Sequence, residues 1–263
     1  ELVDMELATF ADCTKIALGP ALVLDFSNPI PFNFHVVPVF DPSKNLWRED
    51  VVRGIGSMSL GSFTDTQKIL QGVQDVFDRS GINISVIDST LTIGSFSTVR
   101  FSSALTYDHD GNGTTPKVRL EGQAYEGLDR FNNDDNNIVA VFMDGSDAIS
   151  SIVETVAHEA AHSFGARHIN PVPGTSSEVM DYQPSRSPQF WNQVTAVVEP
   201  PNDGEPPTAV THNPTYHLRR YVVGESDADL RTEGILPGSW DTGLFTLFGY
   251  TLSFSSLTTP IKH

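Results

Sequence analysis

One stretch constrains this chain more than any other: His158-Glu159-Ala160-Ala161-His162-Ser163-Phe164-Gly165-Ala166-Arg167-His168. It places three imidazoles, one carboxylate and one glycine within eleven residues. On a helix, residues four apart lie one turn apart on the same face, so the rings of His158 and His162 project together. Neutral imidazole is a good zinc ligand, and a pair at this spacing can chelate one ion. Glu159 follows the first of them and can sit beside a metal-bound water and take its proton. Gly165 lets the helix stop in a left-handed turn that other residues adopt only with strain. The chain then bends and returns His168 as a third ligand. Three histidines leave the fourth position of a tetrahedral zinc open to water, as in a catalytic rather than a structural site. The competing reading is a surface helix with scattered histidines. It requires chance to place the glycine and the third histidine as well.

The pattern HExxHxxGxxH is the signature of the metzincin zinc proteases, and the chain resembles them. The resemblance implies a methionine turn beneath the metal. Ser176-Ser177-Glu178-Val179-Met180-Asp181-Tyr182 matches it, with Met180 twelve residues after His168. A tyrosine two places after the methionine is similar to the astacin and serralysin branches. There it ligates zinc in the resting enzyme and swings to support the transition state, a role that the resemblance extends to Tyr182. Core packing for Met180 and a buried hydrogen-bonded phenol for Tyr182 are the alternatives. Ile169, next after His168, fits none of the best-known branches. The resemblance covers residues 137–182 by motif and 20–136 by element order.

The implied fold class is α+β: a twisted, mixed five-stranded sheet with a backing helix and an active-site helix, and a smaller lower subdomain after the third histidine. The implied organisation is an N-terminal segment at 1–19 and a catalytic domain at 20–225, its upper subdomain running to about 165. Residues 226–263 then form a β-rich extension or the end of the lower subdomain. In this family the antiparallel edge strand pairs with an extended substrate, and an open edge suits that use. Lys117–Tyr125 and Ser97–Ala104 are the two candidates for it.

The element order comes from periodicity. Ala21–Phe26, Phe34–Phe40, Ile82–Ile87, Val99–Leu105 and the apolar run Asn137–Met143 read as strands. Thr64-Asp65 caps a helix whose Ile69, Leu70, Val73, Val76 and Phe77 share one face, with Gly81 as its stop. Ser146 or Asp147 caps the histidine-bearing helix, which packs through Ile149, Ile152, Val153, Val156, Ala157, Ala160, Ala161 and Phe164. Gln189–Val198 reads as a weak helix, and Asn213-Pro214 opens another through Tyr221. Leu244–Phe248 and Tyr250–Phe254 read as short strands. His212, His217 and His263 lack ligand-like spacing and are assigned no metal.

Charge adds a second line of argument. With 16 Lys+Arg against 33 Asp+Glu the 263-residue chain carries a formal net charge of −17. A field of that sign disfavours nucleic acid and anionic membranes and favours hard cations. Asp108-His109-Asp110-Gly111-Asn112-Gly113 matches the start of a calcium loop through Asp108, Asp110 and Asn112. The twelfth position is Arg119 rather than glutamate, with Glu121 two residues on, so a solvated turn is the alternative. Gly127–Asn137 is a second acid- and amide-rich stretch open to the same two readings. No apolar run is long enough to span a bilayer.

The single cysteine, Cys13, excludes an internal disulfide. Some metzincins are held latent by a cysteine thiolate in the open zinc position, so Cys13 is a candidate latency ligand. The familiar motif around such a cysteine is absent, and a small buried hydrophobe is the competing reading. No signal peptide is visible at Glu1, so a processed or a trimmed form is expected, and the resemblance implies a secreted protein. The reading as a whole is a secreted zinc endopeptidase acting on extended peptides, with Zn2+ and a candidate Ca2+. The alternatives are a silent or Cys13-latent binding protein of the same fold, and a calcium-dependent extracellular structural protein.

Overall fold

The computed structural model describes residues 20–27, 60–88, 96–103, 121–124, 137–169, 178–181, 187–197 and 210–242, with side chains at all but a few strand positions. It also describes the backbone of strands at 7–9, 15–17, 36–41, 46–51, 105–107, 118–120, 244–247 and 250–253. In chain order the first elements are β1 (Leu7–Thr9), β2 (Lys15–Ala17), β3 (Ala21–Asp25), β4 (Val36–Asp41), β5 (Leu46–Val51), α1 (Thr66–Arg79) and β6 (Ser85–Ile87). There follow β7 (Phe96–Ser102), β8 (Leu105–Tyr107), β9 (Val118–Leu120), β10 (Gly122–Gln123), β11 (Asn137–Phe142) and α2 (Ile149–Ser163). The last are β12 (Thr195–Ala196), β13 (Thr211–His212), α3 (Pro214–Leu218), a π-helical segment (Arg219–Val223), α4 (Asp227–Thr232), α5 (Ser239–Thr242), β14 (Leu244–Leu247) and β15 (Tyr250–Ser253).

The architecture is mixed α/β. One sheet has the order β10-β11-β7-β3-β6. Its last four strands are mutually parallel, and β10 pairs antiparallel with β11. Parallel strands covered by helices read as unbroken apolar runs, and β11 does so through buried Val139, Ala140, Val141 and Phe142. Among the described residues, the antiparallel edge strand therefore lies within Lys117–Tyr125. The other candidate, Ser97–Ala104, supplies β7, which is interior between β11 and β3. Sequence order does not follow spatial order in this sheet, so the choice rested on pairing alone.

The two long helices pack on each other and on the sheet through one core. α1 buries Ile69, Leu70, Val73, Val76 and Phe77, the face that its periodicity predicts. Gly81, at φ 66°, turns the chain from α1 toward β6. Gly72 brings α1 close to α2: a Cβ there would meet Cγ2 of Val153 at 2.5 Å. α2 buries Ile152, Val153, Val156, Ala157, Ala160 and Ala161, as its spacing requires. Its cap differs from expectation. The N-cap is Ala148, because the side chains of Asp144 and Asp147 are used in the preceding turn. Asp147 accepts from Asp144 N–H at 2.9 Å, and Asp144 accepts from Ser146 N–H at 2.9 Å.

After the turn at Phe164–Arg167 comes a small C-terminal subdomain. Asn213 caps α3 by accepting from Tyr216 N–H at 3.2 Å, with Pro214 in the first turn. The helix expected through Tyr221 changes after Leu218 into the π-helical segment and ends at Gly224, φ 86°. Arg219 holds the next turn by a two-pronged contact with Glu225, at 2.7 and 2.5 Å, and a third bond to Glu233 at 2.8 Å. The described part of the expected helix, Gln189–Val197, is not helical: Gln189 bridges to Glu178 and Thr195–Ala196 pairs with β13. α5 lies where only strands were expected, because Ser239–Thr242 is a single turn too short to show periodicity. Phe190 fastens this subdomain to α1. Its ring lies 5.3 Å from that of Phe77, its N–H donates to Ser80 Oγ at 2.8 Å, and its carbonyl accepts from Thr215 Oγ1 at 3.0 Å.

Candidate metal centre

Helix α2 carries His158 and His162 on one face and ends at Ser163. The chain then reverses within three residues. Gly165 has φ 88°, its N–H donates to His162 O at 2.8 Å, and Ala166 N–H donates to Ala161 O at 2.9 Å. This six-to-one bond closing over a left-handed glycine is the Schellman ending that Gly165 makes accessible. It returns His168 to the two helical rings. The Nε2 atoms of His158, His162 and His168 are each 3.1 Å from the other two.

Two of the rings are oriented by carbonyl groups. His158 Nδ1–H donates to Val179 O at 2.6 Å, and His162 Nδ1–H donates to Ala166 O at 2.8 Å. A neutral ring that donates at Nδ1 presents a lone pair at Nε2. Lone pairs packed this closely repel unless a cation lies among them. Two nitrogens bound at ~2.05 Å to a tetrahedral zinc would lie about 3.3 Å apart. The 3.1 Å triangle and its donor set therefore fit such an ion, and this group of buried and half-buried histidines could hold a metal.

The methionine turn supports the group through its backbone. Val179 offers the carbonyl that orients His158, and Met180 O accepts from Ile169 N–H at 3.1 Å, next to His168. Met180 is fully buried beneath. Glu178, which no sequence pattern singled out, holds the turn in shape. Its Oε1 accepts from Met180 N–H at 3.1 Å and its Oε2 from Trp191 N–H at 2.7 Å. Burial pushes the Glu178 carboxyl up to about 8 against the pull of those amides, and the nearby Asp181 adds to the rise.

A carboxyl raised on folding favours the native state in its protonated form. That contribution is complete below the ordinary 4.5 and is lost as pH rises through about 8. Glu178→Gln cannot ionise, so its unfolding free energy should decline less than that of the wild type between 4.5 and 8. Denaturant titrations across that range test this, and parallel curves for the two proteins would contradict it.

Glu159 is 7% exposed and sits where the edge strand crosses α2. A Cβ on Gly122 of β10 would lie 2.3 Å from Glu159 Oε1. The absent side chain at Gly122 is thus what gives the carboxylate its place. Nothing local in the sequence marks Gly122, since its role depends on pairing with β11. Of the remaining candidates, Met180 lies at the site. Tyr182, Cys13, Asp108, Asp110, Asn112 and the stretch 127–136 fall outside the described residues.

A second group, His212, His217 and Asp241, also brings possible ligand atoms within 4.8 Å of one another. Its histidines have no chelating spacing in sequence; Asp241, from α5, gathers them. Asp241 Oδ1 accepts from Nδ1–H of His212 at 2.7 Å and of His217 at 3.1 Å. Its Oδ2 accepts from the N–H groups of Asn213 at 2.9 Å and Gly238 at 2.7 Å. Burial alone would raise the Asp241 carboxyl, but the two imidazoles overcome that and hold it well below the usual range. Burial lowers the His212 imidazole, against the attraction of Asp241.

No protein-family model matches the chain, and no curated protein matches it either.

Proposed function

We propose that the chain is a secreted zinc endopeptidase of the metzincin kind. The observation that carries this is the Nε2 triangle of His158, His162 and His168, 3.1 Å on each side, with Glu159 directly after His158 on α2. His158, His162 and His168 would hold a zinc ion, which would supply Lewis acidity toward a peptide carbonyl and a water. The Glu159 carboxylate would take a proton from the attacking water and return it to the leaving amine. The place of Glu159 against Gly122 puts this base beside β10, the terminal strand of the sheet among the described residues. An extended peptide adding to that edge would bring its backbone past the carboxylate. The same proposal gives Tyr182 the oxyanion-supporting role and Met180 the floor of the site. It places a calcium ion at Asp108, Asp110 and Asn112.

The test is digestion of a diverse peptide mixture with and without phenanthroline. Cleavage that stops with the chelator and returns with added zinc is expected. A zinc-loaded chain that cuts no peptide would overturn the peptidase assignment and favour a binding role for the same fold.

A further inference from the structure

The second histidine group touches the first through backbone. We propose that His212, His217, Trp240 and Asp241 are positioning residues for the metal centre, gripping the turn that carries the chain from His162 to His168. The inference rests on the zinc reading above and deepens it.

The turn consists of Phe164, Gly165, Ala166 and Arg167, and each is tied. His217 Nε2–H donates to Phe164 O at 3.0 Å. Trp240 Nε1–H donates to Gly165 O at 3.1 Å. Ala166 O accepts from ligand-bearing His162 at 2.8 Å. Arg167 N–H donates to His212 Nε2 at 3.3 Å, and its guanidinium lies 4.6 Å over the Trp240 ring. Three of these four ties come from the C-terminal subdomain. Two of them, through His212 and His217, meet at Asp241, fully buried, whose two oxygens take four hydrogen bonds, and Trp240 is its neighbour in the chain. Tyr221 O–H closes the arrangement by donating to Asp241 O.

The proton count favours a clamp over a second metal. His212 accepts at Nε2 from an amide, so its proton is on Nδ1, where it donates to Asp241. A metal at that Nδ1 would require an imidazolate. His217 has Asp241 Oδ1 at 3.1 Å from Nδ1 and Phe164 O at 3.0 Å from Nε2, so both its nitrogens are engaged within the protein. Both nitrogens of His212 and of His217 and both carboxylate oxygens of Asp241 have partners, as a buried network requires.

Groups that orient ligands typically change metal affinity ~10–100-fold when removed. The test is zinc affinity of the whole chain, by competition with a chromophoric chelator, together with apo and zinc-loaded melting temperatures. Four proteins are compared: wild type, Trp240→Phe, His217→Leu and His217→Gln. Trp240→Phe keeps an aromatic ring beneath Arg167 and removes only the indole donor. It should bind zinc about 10-fold more weakly or worse, with an apo melting temperature close to the wild type. His217→Leu should lose at least as much. His217→Gln, whose amide can still donate toward Phe164 O, should recover part of it. If His217→Leu does not fold, Trp240→Phe carries the test alone.

Zinc affinity equal to wild type in Trp240→Phe would overturn the proposal. So would losses that only track apo stability, which is what a purely structural role produces. Two zinc ions per wild-type chain, the second lost in Asp241→Asn, would overturn the clamp in favour of a metal site. The readout needs no turnover: a chain that binds zinc tightly but cuts nothing refutes the peptidase reading and leaves this comparison decisive. A wild type without zinc affinity refutes both.

Discussion

The Glu159→Ala protein should keep its zinc and lose turnover by about 10²–10⁴-fold, the range for a positioned general base. The reasoning separates two roles that are neighbours in sequence. The nitrogens that converge belong to His158, His162 and His168, so the triangle that could hold a metal does not include the Glu159 carboxylate. That carboxylate is 7% exposed and lies beside β10. Turnover on one peptide, with zinc content measured on the same samples, decides it. Equal turnover would remove Glu159 from the chemistry. Loss of zinc in step with turnover would make it a support of the metal instead.

Gly122→Ala should have the second largest effect. The added methyl would stand 2.3 Å from Oε1, 2.4 Å from Cγ and 2.6 Å from Cδ of Glu159. Carbon atoms meet comfortably at 3.5–4.0 Å, so more than 1 Å must be found by moving Glu159 or β10. Glu159 starts from a helix fixed on both sides by core residues, and β10 is held to β11 at Gly122–Val141 and Gln123–Ala140. Misplacing a catalytic group by about 1 Å can cost on the order of 10²-fold, and kcat/KM should fall by about that much. Zinc affinity should not follow, because Gly122 faces the base and not the imidazoles. The pair should also be coupled: adding Gly122→Ala to Glu159→Ala should cost far less than it costs alone. Wild-type kcat/KM in Gly122→Ala, or fully additive losses in the double variant, would contradict the close approach.

These two residues also show what was legible in the sequence. His158, His162 and Gly165 could be read because their roles depend on helical spacing and on one left-handed residue. The buried face of α1 could be read for the same reason: Ile69, Leu70, Val73, Val76 and Phe77 repeat with the helix. Gly122 could not, because an edge glycine acquires meaning only when strand pairing places it over α2. Strand order was hidden likewise, so 117–125 and 97–104 were equal candidates until β7 proved to be interior. His212 and His217 looked isolated because the residue that joins them, Asp241, is 24 positions beyond His217. Nothing in the sequence marks Glu178, because its role depends on the amides of Met180 and of the distant Trp191, which donate to it. One missed element did leave a local mark. Ser226, followed by Asp229, caps α4 by accepting from Asp229 N–H at 3.1 Å, and that spacing is a known helix start.

The measurement that bears most directly on the account is the metal content and zinc-edge X-ray absorption of the purified full chain. The account predicts one zinc per chain, with three imidazole nitrogens at ~2.0–2.1 Å and one light-atom ligand, and loss of that signal in His162→Ala. A wild type that takes up no zinc, or a His162→Ala chain that binds it unchanged, would contradict the reading of His158, His162 and His168 as a metal centre.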